Sequence, residues 1–437
     1  MKRLVLTVFL SLTLAFPVLC QVRPEAVIPP QENAAFDYLT ALAQRPIPGN
    51  VVLLEAEYLS DSIFSTALPP SVLDEAPDLL TLLKLMEYDR AVRFLHQSAA
   101  KPKCQFGIDM SKYPAVDLSV LAPLRQMAKK TFLVALACER DADNLGAAEI
   151  YADLVTMGDH IAQEHVLIAG MTGVAIQRIA MEGTEGLLAR SPSRDAAACI
   201  EQRLSTLPPW APRLASACQS EAVAYGLWLQ ANPAEPLVSS LTNLPADATP
   251  EQRAACVAAA AGIYRDQTER WSKLLSQPYW QAREALVNEE ARVDELIGKA
   301  AADPAQFGAY GILRIAPSGK NIAKFAVLAD ARIAMTRIVC AATMHLTDKG
   351  AYPADILALA PYFPDGLPKD PFTGENFIYS LKDGLPQIIA AAPKELTANA
   401  PESQFRLDFS TRPEREKEAM RDLAERRKEV RKKIGVE

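Results

Sequence analysis

Histidine is scarce in this chain: His96, His160, His165 and His345 are the only four in 437 residues, which leaves little material for histidine chemistry. Cysteine is nearly as sparse, with seven residues and no C-x-x-C pair, so a zinc ribbon and a thioredoxin-like motif are excluded. No G-x-S-x-G offers a serine nucleophile, and no G-x-G-x-x-G offers a dinucleotide site. The run Ala316-Pro317-Ser318-Gly319-Lys320 ends like a phosphate loop. However, Arg314 stands where its first glycine belongs and Asn321 where Ser or Thr should follow, so nucleotide binding is rejected. Positive charge is not in excess either: 46 Lys and Arg face 53 Asp and Glu, a net charge of -7, which excludes a nucleic-acid binder working through overall charge. No cofactor is implied by any of these patterns.

What is present is a globular composition. With 49% hydrophobic and 23% charged residues, wholesale disorder and a multi-span membrane protein are excluded. Alanine makes up about a sixth of the chain, favouring helices packed closely on small side chains. The length suggests about two or three domains.

Residues 1–20 read as a signal peptide: basic Lys2 and Arg3, an apolar run from Leu4 to Leu19, Pro17, and a cleavage site after Cys20. Retention as an N-terminal anchor is the alternative. The expected location is therefore the periplasm or the extracellular space, with no stable membrane span once the signal is cleaved. If Cys20 leaves with the signal, six cysteines remain. Cys199 and Cys218 flank Pro208-Pro209, which should break a helix into two antiparallel arms, so a disulfide between them is one reading; six buried thiols is the other.

Residues 21–30 form a Pro-containing linker, and 31–300 read as a helical domain. Within it, breaks are expected near Asp141 to Asn144, near Gly170 and at Pro208-Pro209, with a long helix from Pro250 towards Ala300 kinked at Pro278. Pro46 to Pro70 is less periodic and holds strand-like VVLLEAEYL. Residues 301–320 are a Gly- and Pro-containing junction, and a helix over about 321–346 opens a module that runs to 396. In that module Asn376 to Tyr379, a Lys382-Asp383-Gly384 turn and Gln387 to Ile389 form a β-hairpin signature. The tail, 397–437, is dense in charge and reads as a solvated helix or disorder. The fold class is thus mainly α, an antiparallel helical bundle or irregular helical array with a small C-terminal α+β module.

The segment from Asn321 to Ala392 carries Gly350-Ala351-Tyr352-Pro353 at a helix end, then Asp370-Pro371-Phe372-Thr373-Gly374, then the hairpin. Gly350 can stop the helix in a left-handed conformation, Pro353 sets the exit, and Asp370, Pro371 and Gly374 shape the turn into the first strand. In this it resembles the globular part of the major pseudopilins of type II secretion. The resemblance departs where the preceding helix carries Lys324, Asp330, Arg332 and Arg337 and lies far from the N-terminus, which argues against filament assembly. That family's calcium site lies near the hairpin; of Asp365, Asp370 and Asp383 none is carried over as a ligand. The whole chain is also similar to exported helix-rich proteins of planctomycete-type bacteria, a resemblance that supports the architecture and leaves function open.

Two clusters remain as candidate sites. In Asp159-His160-Ile161-Ala162-Gln163-Glu164-His165, a continuous helix would set His160 and Glu164 four residues apart on one face, a geometry for Zn²⁺, with His165 turned away. The spacing is neither H-E-x-x-H nor H-x-x-E-H, and solvent-facing polar residues on an amphipathic helix explain it more cheaply. All four tryptophans, Trp210, Trp228, Trp271 and Trp280, fall in one stretch and could line a groove for a sugar, peptide or partner, or simply pack helices. The leading expectation is an exported, non-catalytic envelope protein that presents a helical surface to a protein partner. The alternatives are a metal-dependent hydrolase centred on His160, Glu164 and His165, and a ligand-binding protein using the Trp-bearing helices.

Overall fold

The computed structural model describes residues 28–43, 68–75, 88–113, 115–232, 240, 242, 248–397 and 405–434. The expected signal peptide and most of the Pro46 to Pro70 segment lie outside these residues. Among the described residues no helix is long and apolar enough to cross a membrane. The architecture is mainly α with a small antiparallel sheet near the C-terminus, as the sequence led us to expect.

The helices of ten residues or more are α1 (Ala34–Ala43), α2 (Tyr88–Ala99), α3 (Leu121–Arg140), α4 (Asn144–Ile161), α5 (Leu167–Arg190), α6 (Arg194–Ser205), α7 (Trp210–Ala231), α8 (Pro250–Leu275), α9 (Tyr279–Ala302), α10 (Gly319–Lys349) and α11 (Arg412–Ile434). Several of their starts follow from capping chemistry. The Asp143 carboxylate accepts from Gly146 N–H at 2.9 Å to open α4. Thr249 and Gln252 form a reciprocal capping box ahead of α8, with Pro250 in the first turn. Ser318 accepts from Asn321 N–H at 3.1 Å to open α10.

The expected long helix is split at Pro278 rather than kinked. Its two halves, α8 and α9, end and start around Ser276–Pro278, and a 3₁₀ segment (Gly308–Ile315) packs against both. The interruption expected near Gly170 falls slightly earlier, at residues 162–166.

α4 and α5 cross so closely that a Cβ on Gly158 would sit 2.5 Å from the Gly173 carbonyl oxygen, and one on Gly173 would strike the Gly158 carbonyl. This is what small residues permit: backbones approach and the ridges of the neighbouring turns interlock. α10 is the axis of the body, packed by α5, α6, α7 and α9 and buried along most of its length. Each leucine or isoleucine fully buried here contributes about 1.5–3 kcal/mol. One continuous apolar core runs from Ala34 to Leu423, so the helical body and the C-terminal module share it.

α10 ends at Gly350, whose φ of 80° is the left-handed cap expected there. A 3₁₀ segment (Ile356–Tyr362) follows, then the hairpin β1 (Ile378–Lys382) and β2 (Leu385–Ile389), paired Ile378 to Ile389 and Lys382 to Leu385. Asp383 (φ 55°) and Gly384 (φ 77°) both take positive φ, as a two-residue hairpin turn of matching twist requires. The region expected to be a charged tail contains more than charge. Arg406–Asp408 forms β3 on the free edge of β2, and Phe405 and Phe409 enter the core. α11 is anchored at its start by Arg412, which is buried, donates to the Glu182 carbonyl at 3.2 Å and pairs with Glu416 at 2.8 Å. Charge density concealed this segment because its apolar anchors are few and far apart.

Candidate functional site

The Asp159–His165 cluster is taken apart by the fold. α4 stops at Ile161, residues 162–164 tighten into a 3₁₀ turn, and His165 sits at φ 51°, so the helical spacing that would align His160 with Glu164 does not exist. His160, read from the sequence as solvent-facing, is 2% exposed, and its Nδ1 shares a 2.9 Å hydrogen bond with the Tyr38 hydroxyl. Burial drops its pKa to about 4, so the imidazole is neutral around pH 7 and serves to join α1 to α4.

The neighbouring side chains point elsewhere. Asp159 pairs with Arg213 of α7 at 2.8 Å. Gln163 accepts from Cys104 N–H at 2.9 Å and Glu164 from Phe106 N–H, stitching the turn to the 104–106 strand of chain. His165 is exposed, 3.4 Å from Ser216 Oγ. Glu164 and His165 do line an open pocket of about 460 Å³ with Arg213 and Ser216. Among the described residues no group of three or more His, Cys, Asp or Glu is placed to hold a metal ion.

Cys199 and Cys218 are free thiols. Pro208-Pro209 does separate two helices, but they are not a hairpin: α6 packs against α4 and α10, while α7 packs against α8, α10 and α5. Burial pushes the Cys218 thiol up to about 12 and the Cys199 thiol above its ordinary value, which makes both poor nucleophiles.

The tryptophans divide by role. Trp210 is fully buried and donates from Nε1 to Gln177 at 3.1 Å, with the Arg213 guanidinium 4.5 Å above its ring. Trp271 is buried against Gly319, where any Cβ would collide with the indole. Trp228 is half-buried and stacks on Tyr225, ring centres 5.5 Å apart. Trp280 alone is open, 47% exposed, on the first turn of α9. Its indole lies over Gly374, whose φ of 78° and lack of a side chain both make the contact possible.

Trp280 thereby marks the rim of a cleft of about 510 Å³ between the body and the module. One wall comes from the α6–α7 connection and the first turn of α7 (Leu207, Pro208, Pro209, Pro212), another from the end of α8, the α8–α9 connection and the start of α9 (Leu274, Pro278, Tyr279), and a third from Pro368 to Pro371 and Gly374 of the module. The floor is one face of α10, where Ala323, Val327, Asp330, Ala334 and Arg337 recur at helical spacing. Prolines at the turns hold the rims without offering backbone N–H groups.

The module wall is rigid because Asp370 is fully buried and its carboxylate closes two loops at once. It accepts from Phe372 N–H at 2.9 Å and from Ala391 N–H at 2.6 Å, while Gly374 N–H donates to its backbone carbonyl at 2.7 Å. Burial raises its pKa and the two N–H donors oppose the rise. Tyr352 is half-buried and Pro353 buried at the exit from α10; Pro371 follows Asp370 into the turn.

Asp330 and Arg337 were visible in the sequence only as charges out of place in an apolar helix. Asp330 lies deep in the body yet keeps part of its surface open to the cleft, and accepts from Trp210 N–H at 3.0 Å. Desolvation pushes its carboxyl up to about 7, against that N–H and the field of Arg213. Arg337, one face-repeat along, is held by Glu201 at 2.7 Å and lies over the Phe363 ring at 5.5 Å. Their spacing of seven residues on one helix was the signal available.

No family model matches this chain, and no curated protein and no solved structure matches it either.

Proposed function

We propose that this protein is an exported, non-catalytic protein of the cell envelope that binds an extended segment of a partner protein in the cleft between its helical body and its C-terminal module. The observation that carries the reading is how that cleft is built. Its walls are proline, leucine and aromatic side chains, with few polar groups convergent on it, which is the make-up of a recognition site at a junction of structural units. Trp280 and Tyr279 supply rigid aromatic area at its mouth, the type of side chain that dominates binding energy. Arg337 and Asp370 are engaged with Glu201 and with backbone N–H groups, so they shape the cleft rather than stand ready as acid, base or nucleophile. The pseudopilin-like module acts as a wall of the site, in keeping with a docking role. Export rests on the signal-like residues 1–20.

The open position of Trp280 favours a second reading, a small-ligand binding protein using the same cleft. Site-specific photo-crosslinking in the full-length protein separates the two. A photoreactive residue at Trp280 is expected to capture one contiguous segment of a single partner, while the same residue at exposed Leu145 captures none. Equal labelling from both positions would remove the cleft as the interaction site. Tryptophan quenching by a small sugar or peptide, with no protein adduct, would favour the second reading.

A further inference from the structure

We infer that the cleft recognises a cationic group carried on an apolar stem, the side-chain chemistry of lysine or arginine, with Asp330 as its counter-ion. This rests on the cleft being a recognition site and names what it reads.

The argument is one of charge accounting. Four charged side chains line the cleft: Asp330, Arg337, Lys369 and Asp370. Arg337 is paired with Glu201 at 2.7 Å. Asp370 is spent on two backbone N–H groups. Lys369 stands exposed at the rim, donating to Asn376 Oδ1 at 2.8 Å, where solvent screens it. Asp330 is different: it has one neutral N–H donor, from Trp210, and no ion pair among the described residues.

The neighbouring elements leave it so. Arg213 of α7, whose field reaches Asp330, is committed to Asp159 at 2.8 Å and lies over Trp210. On the α5 side of α10, Arg332 is paired with Glu185. Glu201 of α6 holds Arg337. A buried carboxylate is costly without a cation, and the cleft leaves room for one to arrive from outside. Leu274, Leu286 and Val327 offer an apolar track for an aliphatic stem, and the Trp280 and Tyr279 rings at the mouth offer faces that attract a passing cation.

An amine entering the cleft meets a carboxyl that is largely protonated below neutral pH and ionised above it. Binding therefore releases a proton, and affinity rises with pH until Asp330 is fully ionised in the free protein.

The test uses three probes of equal chain length on the full-length protein: n-hexylammonium, n-hexanol and hexanoate, titrated by ligand-observed NMR. With wild type, n-hexylammonium is expected to bind about tenfold more tightly at about pH 8 than at about pH 6, the ammonium itself staying charged throughout. Asp330→Asn keeps the acceptor for Trp210 N–H, and there the ammonium is expected to bind about tenfold more weakly at the higher pH with no pH dependence. Hexanol, which reads only the apolar walls, is expected to bind both proteins alike. Preference for hexanoate, or ammonium binding unchanged by Asp330→Asn, overturns the cationic assignment while leaving a cleft that binds. Failure of all three probes overturns the cleft as a recognition site and the assignment with it.

Discussion

The helical body and the C-terminal module bury polar groups by opposite strategies. In the body, polar side chains bridge elements far apart in sequence. Glu185 on α5 meets Arg332 and Thr336 on α10, Glu201 on α6 meets Arg337, and Arg190 meets Glu416 from 226 residues away. In the module they close their own loops: Asp370 accepts from Phe372 and Ala391, and Asp408 accepts from Ser410 N–H at 3.0 Å. Helices satisfy their backbone internally, so a polar side chain within them is free to specify which helix lies alongside. Loops lack that internal satisfaction, and their polar side chains must supply it.

That contrast yields tests of graded size. Arg332→Met leaves the Glu185 carboxyl buried without its partner, and we expect a loss of about 3–5 kcal/mol in urea unfolding, felt by body and module together. Burial already holds Glu185 above the ordinary carboxylate range and Arg332 opposes it, so the deficit should shrink as pH falls and the carboxyl becomes neutral. Adding Glu185→Leu should recover most of the loss. If the single variant is as stable as wild type, the pair does not organise the body.

Gly173→Ala forces a methyl group into the Gly158 carbonyl, where backbone rather than a flexible side chain must yield. A loss of about 1–3 kcal/mol is expected, with slower formation of the α4–α5 pair in refolding kinetics. Asp370→Ala should cost a similar or smaller amount, about 1–3 kcal/mol, but confined to the module. Hydrogen exchange would show faster opening at Phe372 and Ala391, with α4 and α5 unchanged. Uniform acceleration across the chain would mean that body and module are one cooperative unit, as their shared core permits.

The effects of pH differ in sign between two buried groups. His160 is held near 4 in the folded state against 6.5 when exposed, so the unfolded chain takes up the proton first. Stability from this group is complete above about pH 6.5 and falls by about 1.4 kcal/mol per pH unit down to about pH 4. His160→Gln should flatten that decline and loosen α1 at every pH. Asp330 has the opposite sign. Its carboxyl is raised, the folded state keeps a proton the unfolded state has lost, and stability declines as pH rises from about 4 to about 7. Asp330→Asn should therefore be more stable than wild type above neutral pH and indistinguishable from it in acid.

The elements were legible in the sequence wherever local chemistry decides them. Alanine-rich periodicity, the Gly350 stop and the Asp383-Gly384 turn all act over a few residues, and each appears where expected. Pairings were not legible. The Pro208-Pro209 break suggested an antiparallel hairpin with Cys199 facing Cys218, but the two helices were claimed by different neighbours. His160 looked solvent-facing because periodicity does not reveal that α1 covers it with Tyr38. β3 and the Arg412 anchor were hidden in a charged stretch, since a few apolar residues suffice once a sheet edge and a groove already exist.

By itself, then, the sequence determined the mainly helical class, the stop at Gly350, the hairpin turn, and the absence of recognisable catalytic motifs, because these rest on composition, spacing and backbone conformation. Only the tertiary structure decided which helices meet, which charges are neutralised, and that Trp280, Pro209, Asp330 and Pro371 face one cleft. Those outcomes depend on contacts between residues far apart in the chain, and the energy of such a contact exists only once the core has brought them together.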